Sequence, residues 1–282
     1  MRTFLKSLQP SRILRLAVKP LLSILSGRVA TQRLWEHPHR QSLVGMNIGM
    51  GYDPTSSGEM WVIRHVARTL KSAGRLTVFD VGANIGSYAN AIIRELQGGA
   101  DLYCFEPSKL TFERLSEALS GFQNVHLFNI GLSNVNGACT LYSNTSCSGL
   151  ASLYHRRLDH FGNSMPLSED VAARTLDSLC REHRIDRINL LKLDVEGHEL
   201  KVLEGARELM ANDAIDFIQF EFGGCNIDSR TFFQDFYYLL NPKFRICRIL
   251  RGGLASIERY RESLEQFATT NFLAISRRKV PS

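Results

Sequence analysis

The run Leu76-Thr77-Val78-Phe79-Asp80-Val81-Gly82-Ala83-Asn84-Ile85-Gly86-Ser87 sets a carboxylate and two glycines where an apolar strand gives way to a helix. A ligand can lie against such a turn, because Gly82 and Gly86 have no Cβ to hold it off. Asp80 adds an acid at the strand's carboxyl end, the edge where open α/β sheets bind ligands. Twenty-four positions after Gly82, the apolar strand Leu102-Tyr103-Cys104-Phe105 ends in Glu106. An acid at that separation suits the two hydroxyls of a ribose. The turn reads D-V-G-A-N-I-G, with Asn84 where a dinucleotide site has the second glycine that admits a pyrophosphate. Asp80 would repel a diphosphate and attract the ammonium of an aminoacyl group. S-adenosylmethionine meets these demands, having a sulfonium, an amino acid tail and a ribose diol but no phosphate. A plain glycine turn is the bland alternative; the register of the turn with both acids favours the cofactor.

The elements that must hold these residues alternate strand with helix. A helix is expected over 57–71, with Trp61, Val62, Val66 and Leu70 on one face, before strand Leu76–Val81. Helix Ser87–Leu96, strand 102–105, helix Lys109–Leu119 and strand 125–129 follow. The stretch 138–142 looks extended, and 143–166 is polar and glycine-containing, either a substrate-facing loop or a solvated excursion. A short strand over 173–177 runs into helix Leu176–Glu182; strand Ile188–Leu193, a helix carrying Leu200, Leu203, Ala206 and Met210, and strand 215–220 come next. Helix 231–240 and strands Phe244–Leu250 and 271–276 close the chain. Five βα units and two further strands imply an α/β fold: a doubly wound, mostly parallel seven-stranded sheet with an antiparallel last strand. This is the Rossmann-like architecture of class I methyltransferases, here with an N-terminal helical arm.

With 282 residues, 44% hydrophobic and 22% charged, the chain can bury one good core. The expected division is a basic arm and cap segment over 1–56 and a catalytic domain over 57–282. Cys104, Cys139, Cys147, Cys180, Cys225 and Cys247 form no C-x-x-C pair, so they read as thiols of a reduced, cytoplasmic compartment. No run of eighteen apolar residues predicts a membrane span. Of the net charge of +6, the first forty residues contribute +7. The basic pI therefore says little about nucleic acid binding by the body of the protein. Apolar and basic residues alternate in the arm at roughly helical spacing, interrupted by Pro10 and Pro20. A helix packed on the protein's own surface is favoured over an interfacial helix on an anionic membrane. Arg12, Arg15 and Lys19 break the apolar core that a secretory signal needs.

Four runs carry a resemblance to a family: Phe79-Asp80-Val81-Gly82-Ala83-Asn84-Ile85-Gly86, Phe105-Glu106-Pro107, Thr175-Leu176-Asp177-Ser178-Leu179, and Leu191-Lys192-Leu193-Asp194-Val195-Glu196-Gly197-His198-Glu199. The chain resembles the FkbM family of S-adenosylmethionine-dependent methyltransferases over roughly residues 58–276. The resemblance implies O-methylation of a hydroxyl on a sugar, a polysaccharide precursor or a natural product. It further implies that Asp80, Gly82, Asn84 and Gly86, with Ala83 between them, cradle the methionine part. Glu106 would take the ribose diol, Pro107 and Ser108 would shape the turn beside it, and Asn129, Ile130 and Gly131 would border the adenine. Asp194 would stand near the sulfonium methyl.

Methyl transfer to an alcohol is an in-line displacement, so the oxygen must be aligned and its proton taken by a carboxylate or histidine within about 3 Å. Asp194, Glu196, His198 and Glu221 follow strand ends on the ligand edge. Asp194 is the first choice of base, with hydrogen bonding to the cofactor or backbone as its alternative. His198 titrates in a suitable range but is expected to face solvent from a helix. Glu199 is expected at a helix start, where an acid suits the dipole. Lys192 is expected to order its strand or pair with an acid. Asp194, Glu196 and Glu221 are also oxygen donors for a magnesium-like ion; without a D-D-N run, no metal site is assigned.

Two other activities use related parts. A nicotinamide-dependent oxidoreductase could share the turn and Glu106, but Asn84 and the lack of a suitably placed Ser/Tyr-x-x-x-Lys set count against it. An RNA methyltransferase is prompted by the basic arm, yet the rest of the chain sums to −1 and lacks a phosphate-tracking face. The expected partner is a small-molecule or glycan acceptor.

Overall fold

The computed structural model describes residues 23–51, 57–72 and 74–279. The arm through Leu22, and Tyr52 in the cap segment, lie outside them. The chain separates into two units, 1–46 and 47–282. In the first, helix α1 (Gln32–Gly45) contains Pro38 and buries no residue. The division falls ten residues before the expected boundary at 56. Its physical reason is Asn47, whose Nδ2 donates to the carbonyls of Ser57 and Ile249, both at 3.1 Å, tying this segment to the larger unit.

The larger unit is a sheet covered on both sides. Helix α2 (Glu59–Thr69) precedes β1 (Leu76–Val81), followed by α3 (Ser87–Leu96), β2 (Ala100–Phe105), α4 (Lys109–Leu119) and β3 (Val125–Phe128). After β4 (Gly131–Leu132), β5 (Gly137–Ser143) and β6 (Leu167–Arg174) come α5 (Leu176–Glu182), β7 (Ile188–Leu193), α6 (Glu199–Glu204) and α7 (Arg207–Ala211). The chain continues through β8 (Ile215–Phe222), α8 (Cys225–Ser229), α9 (Phe233–Leu240), β9 (Phe244–Leu250), β10 (Gly253–Ser256) and β11 (Thr270–Ser276).

Successive side chains of a strand point to opposite faces. In β1, Leu76 and Val78 therefore join one apolar cluster with α2, α3 and α4, while Phe79 and Val81 join another with α5, α6 and α9. Burial on both faces is why the inner strands read as nearly unbroken apolar runs. The main sheet runs β10-β9-β11-β8-β7-β1-β2-β3. Strands β3, β2, β1, β7 and β8 are parallel, and β11 is antiparallel to both its neighbours. Seven of the sheet's strands, β1, β2, β3, β7, β8, β9 and β11, match expected strands, and the sheet is doubly wound and mostly parallel. An eighth strand, β10, pairs back onto β9 across a short turn at Arg251-Gly252.

A separate three-stranded sheet, β4-β6-β5, accounts for the irregular middle of the chain. The expected short strand at 173–177 is the end of β6, which pairs with β5 over seven residues from Leu167 to Ala173. The T-L-D-S-L run then acquires a structural reason. Thr175 Oγ1 caps α5 by accepting from Ser178 N at 3.1 Å, and Asp177 accepts from Glu208 N and Leu209 N at 2.9 and 3.0 Å at the start of α7.

Candidate active site

In this sheet the winding reverses between β1 and β7, which is where an open α/β sheet leaves a crevice at its carboxyl ends. Asp80 and Lys192 stand in register across that pair. Lys192 Nζ lies 3.3 Å from Asp80 Oδ1 and 3.1 Å from Asp194 Oδ2, over the Tyr88 ring at 4.9 Å from its centroid. Burial opposes the charge of Lys192, but Asp194, Asp80 and Glu59 together hold its pKa well above the ordinary value. Asp80 is fully buried, its carboxyl pushed up by burial and pulled down by Lys192. It therefore stands behind Lys192 and lines neither cavity described below, instead of meeting a ligand's ammonium directly.

Past the ends of β1 and β2 lies a cavity. Gly82 forms its floor with φ +81°, and a Cβ there would meet the Asp194 carbonyl at 1.8 Å. Asn84 follows at φ +48°, with its own Oδ1 accepting from Ile85 N at 2.7 Å. Asparagine tolerates this left-handed conformation because its side chain can bond locally. Glu106 closes the turn, Oε2 accepting from Asn84 N at 3.0 Å and Oε1 from Ser108 N at 2.9 Å. Burial raises its pKa to about 7 against those two bonds.

The expected cofactor residues divide. Gly82, Asn84, Glu106, Pro107, Ile130 and Gly131 line the cavity. Ala83, Gly86, Ser108 and Asn129 do not, and they act on the backbone around it: Ala83 N donates to Phe105 O, and Asn129 Nδ2 clamps the carbonyls of Glu106 and Pro107 at 2.9 and 3.0 Å.

After β7 the chain turns through Asp194-Val195-Glu196-Gly197. Glu199 is fully buried and holds this turn by accepting from Val195 N at 3.0 Å and Gly197 N at 3.2 Å. Its role is to shape the loop more than to complement a helix dipole, and burial raises its pKa to about 7. Glu196 takes φ +52° and pairs with Arg156 Nη1. Burial pushes the Glu196 carboxyl up to about 8, with Arg156 opposing. His198 is buried, not solvent-facing: Nε2 lies 2.9 Å from Ser133 Oγ and Nδ1 3.2 Å from Tyr154 Oη. Burial lowers its pKa to about 4, which makes it a weak base.

A second cavity adjoins the first; Gly149, Asp194 and Glu196 line both. Its wall adds Glu59, Arg156, Phe161, Glu221 and Phe267. Glu59 receives Gln219 Nε2 at 2.9 Å, and burial raises its pKa to about 7. The side chain of Glu221 has no hydrogen bond or ion pair among the described residues. Burial first, then Asp194, Glu196, Glu199 and Glu59, hold its pKa well above the ordinary carboxylate value. Three of the four expected catalytic residues, Asp194, Glu196 and Glu221, thus share one cavity. Among the described residues no three His, Cys, Asp or Glu side chains converge closely enough to hold a metal ion. Tyr154, Arg156 and the lining residues Ser148, Gly149 and Ser152 all come from 143–166, and Glu59 from the start of α2. None of those from 143–166 has a spacing that marks it in the sequence; the one signal is that the segment carries no regular element.

Residues 80–244 match the methyltransferase FkbM domain. The chain belongs to the FkbM methyltransferase family. Among its relatives, the 2-O-methyltransferase NoeI of Sinorhizobium fredii is 26% identical over 176 residues, covering 59% of this chain and 71% of that protein. The hexuronic acid methyltransferase AglP of Haloferax volcanii is 30% identical over 149 residues, covering 52% of this chain and 56% of that protein. A solved S-adenosylmethionine-dependent methyltransferase from Agrobacterium tumefaciens is 11% identical with a TM-score of 0.42, over 80% of this chain and 63% of that one.

Membership makes this FkbM chain a methyltransferase, with S-adenosylmethionine as its cofactor. The first cavity fits that molecule chemically. Glu106, Asp194 and Glu196 line it, and no lysine or arginine does among the described residues. Carboxylates suit a sulfonium, an ammonium and a diol, while a dinucleotide's diphosphate would find no counter-charge there. Among the described residues, no helix is long and apolar enough to cross a membrane.

Proposed function

We propose that this FkbM methyltransferase transfers a methyl group from S-adenosylmethionine to a hydroxyl of a sugar or glycan precursor. The observation that carries the reading is the junction of the two cavities at Asp194 and Glu196, which gives a cofactor chamber and an acceptor chamber a common wall. The names of the two relatives, one a 2-O-methyltransferase and one a hexuronic acid methyltransferase, support O-methylation and a sugar acceptor respectively. Phe161 and Phe267 in the second wall offer apolar faces to the C–H face of a ring.

When bound, the cofactor supplies an electrophilic methyl on its sulfonium. Glu106, fixed by the Asn84 and Ser108 amides, accepts the ribose hydroxyls. Asp194, oriented by Lys192, faces the junction with its side chain 42% exposed. Glu221 takes the proton that leaves the acceptor hydroxyl. It is the carboxyl group of the acceptor chamber whose side chain has no hydrogen bond or ion pair among the described residues, so its oxygens are open to the acceptor. The six cysteines are all unpaired, in keeping with a reducing compartment.

The test is incubation with methyl-labelled cofactor and separate fractions of free sugars, lipid-linked glycans and RNA. Label is expected in a sugar or glycan fraction; label in RNA alone overturns the reading.

A further inference from the structure

The acceptor chamber is walled by four carboxyl groups, Glu59, Asp194, Glu196 and Glu221, and by one guanidinium, Arg156. Arg156 is already engaged twice: Nη1 pairs with Glu196, and Nε lies 3.9 Å from Asp228 Oδ2. Lys192 is held by Asp80 and Asp194 and does not line the chamber. Among the described residues lining it, no cation is left to receive an anionic group of a substrate.

From this charge balance we infer that the chamber selects acceptors without negative charge, neutral or ammonium-bearing hydroxyl compounds, and rejects uronates and phosphorylated sugars. The inference rests on the acceptor reading given above and narrows it to a substrate class. An anion entering a partly buried cavity gives up hydration, and here it finds no free cation in return. Burial holds Glu59 at about 7 and Glu196 at about 8, so like-charge repulsion is added as pH rises through those values. A neutral polyol avoids this cost, because its hydroxyls donate to carboxylates that have acceptor capacity to spare. Phe161 and Phe267 supply the apolar remainder of the wall that such a ring needs.

The experiment compares a hexoside and a hexuronide that differ only at C6, using the full chain and methyl-labelled S-adenosylmethionine at low ionic strength and pH 8.5, where Glu59 and Glu196 are ionised. The expected result is a kcat/KM at least tenfold higher for the hexoside, with the gap shrinking as salt is added. Glu59→Gln is expected to narrow it severalfold; the wild-type comparison stands even where that variant does not fold. Equal or better use of the hexuronide overturns the inference. A neutral diol and the matching hydroxy acid run in parallel: if they take label and neither sugar does, the sugar reading fails while the charge preference is still read. Calorimetric titration of all four compounds into the protein saturated with S-adenosylhomocysteine reads that preference without turnover, and absence of a preference there overturns it as well.

Discussion

Gly82 and the backbone of Asp194 are in direct apposition: Asp194 N donates to Val81 O at 3.0 Å, and a Cβ on Gly82 would stand 1.8 Å from the Asp194 carbonyl oxygen. The first glycine of the turn therefore serves the junction of β1 and β7 as much as the ligand. Gly82→Ala adds a left-handed penalty at φ +81° to a collision with backbone that cannot move aside. It should cost about 3 kcal/mol of stability. Urea unfolding checks this, and S-adenosylhomocysteine affinity should fall with it; a variant with wild-type midpoint and affinity would show that the two strand ends separate easily.

Glu106 differs in that its backbone partners do not use all of its capacity. Each oxygen accepts one amide, leaving lone pairs open to the cavity. Glu106→Gln keeps the volume but loses one acceptor and the charge. Affinity for S-adenosylhomocysteine should drop by roughly tenfold to a hundredfold, the range for hydrogen bonds to a charged group. Calorimetry reads it directly, and an unchanged affinity would remove Glu106 from the ribose contact.

What was legible in the sequence follows from how local each signal is. The strand at Leu76–Val81 and its turn were readable because burial on both faces and the glycine placement are properties of consecutive residues. Seven of the main sheet's eight strands followed from the same signal. Strand β10 was missed because Gly253, Leu254, Ala255 and Ser256 carry no strong alternation and are fixed by pairing with β9. His198 is expected to face solvent because it reads as a residue of the helix that follows a strand end. Ser133 and Tyr154, 65 and 44 positions away, are what bury it. Asp80 was readable as a strand-end acid, but its pairing with Lys192 depends on β7 lying beside β1, which no local pattern states.

Arg156 and Glu196 are a consequence of that non-local assembly, joining the 143–166 segment to the turn after β7. Glu196 sits at φ +52°, a conformation that persists only where its surroundings hold it. Removing one partner of such a nearly buried pair leaves the other without compensation, a loss of about 3 kcal/mol. Arg156→Met should lower the denaturation midpoint accordingly, and Arg156→Lys should recover only part of it, since a lysine cannot reach Glu196 and Asp228 with one planar group. An Arg156→Met variant as stable as wild type would mean that the segment is held by other contacts.

Four buried carboxyls give the stability a definite pH dependence. Burial raises Glu59, Glu106 and Glu199 to about 7 and Glu196 to about 8 from an ordinary 4.5. The folded chain thus keeps protons that the unfolded chain releases. Their contribution is present below the unfolded pKa and is lost as pH rises from about 4.5 through about 8. His198, lowered to about 4, acts in the opposite sense and removes stability only as pH falls below its ordinary 6.5. The ligand-free protein should therefore melt at a lower temperature at pH 8.5 than at pH 6.5. Glu59→Gln should flatten that slope. A melting temperature that rises across this interval contradicts the assignment.

The choice between Asp194 and Glu221 as proton acceptor turns on what each already holds. Asp194 is engaged by Lys192 at 3.1 Å and lines both cavities, so it suits orientation and charge at the junction. Glu221 lines only the acceptor chamber, and its side chain has no bonded partner among the described residues. Glu221→Gln should lower kcat by about a hundredfold or more, the scale of general base catalysis, while S-adenosylhomocysteine affinity stays within about twofold of wild type, since the residue does not line the cofactor cavity. Asp194→Asn should weaken both quantities, because its carboxylate faces both chambers and steadies Lys192. His198→Gln should leave the pH profile of kcat in place, as a group titrating near 4 is not the one that profile reports. If Glu221→Gln turns over normally and Asp194→Asn loses turnover alone, the proton goes to Asp194, and Lys192 is then the group that tunes it.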